Sequence, residues 1–457
     1  MSFLYSITAF IVAIGILVTI HEFGHYWVAK KLGVKVLKFS IGFGKPLWST
    51  RRGPDQTEYI LAAIPLGGYV KMLGESESDA DELSAQEKAR SFSHKPVWAR
   101  ALIASAGPAA NFLLAIVLYW FTYMAGVPDV KPVVDFVQPD SIAAAAGFRA
   151  GDRLLSADGE NMDGWEEFRL YLFDKALSHE TVKTEIADND GRTKTLVLDF
   201  SRLPKTERTP GFLEKELGLY VWHPQIKPVI GAVVEGEPAA RAGIKPGQTV
   251  VSIDGQEVND WSDLVALIGP KANQTVSMRL SSADGTMETV ELKPAEKTVE
   301  GRTLGRIGIG PAPLAFPEEL KTSLRYGPLE AAGKAVKQVW RMSAMTLKVL
   351  GKMLTLEVSP KQISGPLTIA QYAGQSAQGG MEHFVLFLAL ISISLGVLNL
   401  LPIPILDGGH LLFYAIEAIK GEPVSEKVML WGQQLGILAL VGLMTLAFYN
   451  DITRLIH

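Results

Sequence analysis

Long apolar runs break up an otherwise ordinary polar chain. Four are long enough to cross a bilayer at 1.5 Å per residue: Phe3 to about Val28, Ala101 to Val127, Phe384 to Ile405 and Val428 to Tyr449. Basic residues orient them. Positions 30 to 52 hold seven Lys or Arg and no acid, so the loop after the first run is cytoplasmic by the positive-inside rule. Both termini and the region from 128 to about 382 then lie outside, in the periplasm of a bacterial inner membrane. The pattern predicts transmembrane segments at 1–30, 98–127, 383–410 and 428–450, with cytoplasmic loops at 31–97 and 411–427.

The first cytoplasmic loop changes period. Val36 to Trp48 and Tyr59 to Met72 are β-prone and apolar, are punctuated by Gly42, Gly44, Gly67 and Gly68, and flank a polar turn. They predict paired strands within 36–72 that dip toward the bilayer. Such backbone is tolerated at membrane depth only beside protein or a wet cavity, so it should border an active site. Residues 73 to 93 are acidic and read as a solvated loop.

The outer region contains an internal repeat at a spacing of 96 residues. Ala143 through Trp165 aligns without gaps on Ala239 through Trp261, with nine of twenty-three positions identical, which implies a duplicated domain at 128–222 and 223–313. Each copy predicts a strand, a short Ala-rich helix ending in Gly, a β-run, an Asp-Gly turn and a helix after the Trp. Each ends in an apolar-Gly-apolar element, Leu217-Gly218-Leu219 or Ile307-Gly308-Ile309. This resembles the PDZ domain in its bacterial, circularly permuted form, which implies grooves able to accept a peptide strand. From 314 to 382, basic residues such as Lys334, Lys337, Arg341 and Lys348 interleave with apolar ones at near-helical spacing. They predict amphipathic linker helices on the outer leaflet.

Composition limits the chemistry. The 457 residues carry a net charge of -4, which gives no hint of a nucleic-acid surface, and no cysteine, which excludes disulfides and thiolate metal sites. A metal would need His, Asp or Glu. The first run ends in His21-Glu22-Phe23-Gly24-His25, after eighteen residues without a charge. On a helix His21 and His25 lie about 40° apart around the axis and can share one cation, with Glu22 beside them as a general base. Catalytic zinc takes three protein ligands. Asp407 is the favoured third, being the only acid between Glu382 and Glu417, with His410 as its rival. Pro402 and Pro404 must interrupt the third run, and Asn399 offers a donor and an acceptor suited to a substrate backbone or an oxyanion.

On these motifs the chain resembles, from end to end, the site-2 protease family of intramembrane metalloproteases. The resemblance implies a zinc site built from His21, His25 and Asp407 with Glu22 catalytic. It implies a second helix packed through Gly107 and Asn111, and substrate contacts at Asn399, Pro402 and Pro404. It also implies that Gly67, Gly68 and Tyr69 belong to a re-entrant β-element that grips substrate as an added strand. The implied fold class is a polytopic α-helical membrane protein of four transmembrane helices, with that β-element and two tandem periplasmic PDZ-like α+β domains. The implied substrates are single-pass membrane proteins such as an anti-sigma factor after a first cut, and remnant signal peptides, in regulated intramembrane proteolysis. The alternative is a membrane-tethered PDZ adaptor with a non-catalytic metal site.

Overall fold

The computed structural model describes residues 3–75, 83–203, 216–222, 226–299, 302–313, 317–355 and 357–456. Part of the acidic loop at 73–93 therefore lies outside the described residues. The chain opens with α1 (Phe3–Lys31), strands β1 (Val36–Arg52) and β2 (Thr57–Met72), a short α2 (Ala85–Ala89), and α3 (Val97–Ala125). Strand β3 (Val127–Val130) leads into the repeats.

The first repeat comprises β4 (Phe136–Val137), α4 (Ile142–Ala146), β5 (Arg153–Ala157), β6 (Glu160–Asn161), α5 (Trp165–Leu177), β7 (Thr181–Ala187), β8 (Thr193–Asp199) and β9 (Leu219–Tyr220). The second comprises β10 (Ile230–Val233), α6 (Pro238–Arg241), β11 (Thr249–Ile253), β12 (Gln256–Glu257), α7 (Trp261–Ile268), β13 (Val276–Ser281), β14 (Met287–Leu292), the hairpin β15 (Ala295–Val299) and β16 (Arg302–Arg306), and β17 (Ile309–Pro311). After β18 (Lys321–Leu324) come α8 (Pro328–Leu354), α9 (Pro366–Gln378), α10 (Met381–Leu400), α11 (Asp407–Lys420) and α12 (Glu426–Ile456).

Among the described residues four helices are long and apolar enough to cross a membrane: Leu4–Lys31, Val97–Ala125, Met381–Leu400 and Lys427–Arg454. The third run departs from the expected 383–410. Its helix stops at Leu400, because Pro402 and Pro404 can supply no backbone donors, and restarts at Asp407. Residues 411–420, expected in a loop, are helical. Small residues let the core helices touch. A Cβ on Gly24 of α1 would stand 2.3 Å from the Ala106 carbonyl oxygen of α3.

The β-element is more folded than a simple hairpin. Residues 38–41 of β1 pair on one side with 58–61 and on the other with 68–71, while 48–52 pair with the far side of 57–61. Two bent strands thus make a curled sheet of four short ribbons, in the order 48–52, 57–61, 38–41, 68–71. The ribbon from Gly67 to Met72 is an outer edge. Large apolar side chains remain exposed on this sheet, among them Phe43, Leu47, Trp48 and Ile64. Its far turn is tied down by Asp55, which accepts from Arg90 at 2.7 Å and faces Lys30 at 4.0 Å.

The repeats fold alike, with four-stranded sheets in the equivalent orders β6-β5-β7-β8 and β12-β11-β13-β14. Each closing element pairs antiparallel with the opening strand, β9 with β4 and β17 with β10. Each repeat has its own apolar core, around Phe168 and Leu172 in the first and Val276 and Leu280 in the second.

Basic residues of helix α8 face the first repeat. Lys334 bonds Asp163 at 2.6 Å, Lys337 bonds Glu160 at 2.8 Å, Arg341 bonds Glu160 at 3.0 Å, and Lys348 pairs with Asp174. These carboxylates all belong to the first repeat. A second face of α8, Ala331, Ala335 and Val339, is buried; Ala335 and Val339 pack with Ala115 and Tyr119 of α3 and with Ile393 of α10.

Candidate metal centre

Helical spacing does what the motif requires. His21 and His25, one turn apart on α1, are 8 % and 9 % exposed, with their Nε2 atoms 3.3 Å apart. Asp407 enters from α11, its Oδ2 at 3.2 Å from His21 Nε2 and its Oδ1 at 3.4 Å from His25 Nε2. One ligand atom from each of the three residues can be chosen so that all lie within 4.8 Å of one another. His410 is outside that group and lies beside Tyr414, with ring centroids 6.4 Å apart.

The donor set fits a cation. His25 Nδ1 donates to the Ile103 carbonyl at 2.8 Å, so its Nε2 carries a lone pair. The Asn111 side-chain amide lies 3.1 Å from His21 Nδ1, while Asn111 Oδ1 is buried without a partner. Exchanging the two ends of that amide lets Oδ1 accept from Nδ1–H, which satisfies both groups and frees the Nε2 of His21. Two nitrogen lone pairs and a carboxylate then converge with no proton between them, and the buried Asp407 Oδ2, though 3.2 Å from His21 Nε2, accepts no hydrogen bond from a described residue. Three mutually repelling acceptors in a buried site call for a metal ion. Gly107 of α3 makes room, since a Cβ there would stand 2.3 Å from His25 Nε2 and 2.8 Å from His21 Cε1.

Glu22 lies under the edge ribbon. A Cβ on Gly68 would be 2.8 Å from Glu22 Cγ and 2.7 Å from the Ser40 carbonyl oxygen, so this strand passes over the carboxylate only as glycine. Gly67 and Tyr69 point the other way, toward Phe43, whose ring lies nearly parallel to that of Tyr69 at 6.4 Å. Asn399, in the last turn of α10, is half-buried, and its side chain makes no hydrogen bond to a described residue. Pro404 packs against Gly432 and Gly436 of α12. Gly408 and Gly409 let α11 start tightly against its own connection: a Cβ on Gly408 would meet the Leu401 carbonyl oxygen at 2.3 Å.

The sequence reading left Asn111 as a packing residue and missed the Ile103 carbonyl. The signal for Asn111 was present, as the only amide side chain in an apolar run where buried polar groups are expensive. A separate cavity of about 1130 Å³ lies on the repeat side, bounded by Glu160, Glu167, Arg341, Tyr372, Leu386 and Leu390, and none of the candidate site residues lines it.

A two-histidine, one-carboxylate cluster beside a glutamate, assembled between apolar helices, defines a membrane metallohydrolase. Comparison with known proteins gives the family. The model of peptidase family M50 matches residues 9–443. The chain is 40% identical over 457 residues to the regulator of sigma-E protease RseP of Escherichia coli (strain K12), covering 100% of both chains. It is 43% identical over 460 residues to protease RseP of Yersinia pestis, again covering 100% of both. It is 40% identical over 457 residues to a putative zinc metalloprotease of Vibrio cholerae serotype O1, covering 99% of both. The chain belongs to peptidase family M50, the site-2 proteases, and is a zinc-dependent intramembrane metalloprotease. The adaptor alternative finds no support.

Proposed function

We propose that this site hydrolyses peptide bonds in the transmembrane segments of single-pass proteins, with His21, His25 and Asp407 as the zinc ligands. Zinc bound there supplies a Lewis acid and lowers the pKa of water beside the scissile carbonyl. Glu22 takes the water's proton on its carboxylate and hands it to the leaving amine. The observation that carries the reading is the convergence of the three residues from α1 and α11 next to a glutamate lying under the outermost described strand of the β-element.

A helical substrate hides its amides in its own hydrogen bonds, so cleavage requires local unwinding. The outer side of the Gly67–Val70 ribbon, which pairs with no described strand, offers the freed amides partners as an added strand. Asn399, whose side chain bonds no described residue, is suited to hold the substrate backbone or the developing oxyanion. The two repeats act as periplasmic PDZ-like modules that screen substrates by peptide binding or by bulk; their shared sheet order and paired closing strands support this. The basic residues between 30 and 52 support an active site toward the cytoplasmic side and periplasmic termini. Two of the relatives are named as regulator of sigma-E protease, which suits the anti-sigma-factor-like substrate after a first cut that the family resemblance implies, and remnant signal peptides suit the same chemistry.

Replacing Glu22 with Gln tests the mechanism. The variant should keep its zinc and lose cleavage of a model transmembrane substrate by at least about a hundredfold. A variant that holds zinc and cuts at the parental rate sinks the assignment.

A further inference from the structure

Helix α3 addresses the metal centre along a single face. Arg100, Ile103, Gly107 and Asn111 follow one another at intervals of three and four residues. Ile103 holds His25, Asn111 holds His21, and Gly107 leaves space for both rings. Arg100 instead reaches α11, the helix that begins with the third ligand. Its Nη2 donates to Glu417 Oε1 at 2.5 Å, and its Nε donates to the Lys95 carbonyl at 3.0 Å. The guanidinium carbon lies 5.1 Å from the centroid of the Tyr414 ring. Both charged side chains are shielded, at 15% and 12% exposure.

We infer that Arg100 and Glu417 form a positioning pair that sets the height of α11 against α3, and so delivers Asp407 to the two histidines. The inference rests on the reading of His21, His25 and Asp407 as zinc ligands. Asp407 follows the irregular run 401–406, and the residue before it, Leu406, makes no side-chain cap to α11. The first turn of α11 packs through Gly408 and Gly409 on the backbone of 400–404, and the body of the helix sets where that turn meets the histidines. Apolar packing is non-directional and resists sliding weakly, whereas a shielded, hydrogen-bonded ion pair fixes register. The required precision is high. A helix advances about 1.5 Å per residue, while metal–ligand distances tolerate about 0.2 Å. Lysine at position 100 could not make both hydrogen bonds and stack on Tyr414 at once.

The full-length protein in detergent provides the test. Zinc retention against a chelator, the visible absorption of the cobalt-substituted protein, and the melting temperature of the metal-stripped protein are compared for the parent, His21→Ala, Arg100→Lys, Glu417→Gln and the double variant. Arg100→Lys and Glu417→Gln should each weaken zinc retention about tenfold or more and alter the cobalt bands. These losses should exceed what any change in the metal-stripped melting temperature accounts for, and the double variant should lose no more than either single one. Parental cobalt bands in both single variants, additive losses, or weakening matched by a fall in the metal-stripped melting temperature would overturn the pair. A His21→Ala protein that retains zinc like the parent would instead overturn the ligand reading, so the two failures are told apart.

Discussion

At Gly107 two effects of opposite sign can be weighed. Alanine there would gain about 1 kcal/mol of helix propensity. Its Cβ would also stand 2.3 Å from His25 Nε2, forcing the His25 ring to move by several tenths of an ångström or more, beyond the tolerance of the proposed metal site. Geometry should win over propensity: Gly107→Ala is expected to fold and reach the membrane but to hold zinc at least about tenfold more weakly, as read by equilibrium dialysis. The two histidines of the candidate centre were legible in sequence as a pair, because i, i+4 spacing on a helix fixes their separation. The Ile103 carbonyl that orients His25 was not, since a backbone oxygen leaves no residue-type signature.

At the scale of elements, α12 shows how much a boundary hides. The apolar run ends near Tyr449, yet the helix continues to Ile456 and its last turns anchor another segment. Asp451 accepts from the backbone of Gly365, Leu367 and Thr368 at 2.9, 2.9 and 3.2 Å and from the Thr368 hydroxyl at 2.5 Å. It caps α9 from a different helix, where Gly365 has no capping side chain of its own. Asn450 and Arg454 bind neighbouring carbonyls at Pro360, Ile363 and Lys361. Asp451→Asn removes the charge and one acceptor while keeping the shape. It should lower stability by about 1.5–3 kcal/mol in thermal or denaturant unfolding. An unchanged midpoint would mean that α9 is held by its apolar contacts with α1.

Across the whole molecule, the first repeat and the membrane helices meet through α8. Strand β3 entering the repeats and β18 leaving them are paired antiparallel, and five ion pairs join α8 to the first repeat. The hydrogen bond from Lys337 holds the Glu160 carboxyl below the usual range, with Arg341 adding to it. A depressed folded value means that the contribution is present above the ordinary glutamate value of about 4.3 and is lost as pH falls through the lower folded value. Docking of the first repeat on α8 should therefore be stable at neutral pH and loosen below about pH 4, and Glu160→Gln should blunt that acid dependence. Because the chain lacks cysteine, a pair introduced on α5 and α8 would report it by cross-linking against pH. Cross-linking that ignores both pH and the substitution would show that these charges do not hold the interface.

The sequence by itself determined what depends on local period and on side-chain type: the long apolar helices, the β-element, the duplicated module, and the two histidines and glutamate on one helical turn. Asp407 was also reachable, because a lone acid in an apolar stretch needs a partner. Tertiary structure decided the rest. Only packing curls two strands into four ribbons and brings Gly68 over Glu22, and only packing sets the basic face of α8 against the first repeat. The physical reason is the same in each case. Period and polarity say which face of an element is buried, but the choice of partner comes from long-range contacts between residues up to hundreds of positions apart, as with Arg100 and Glu417.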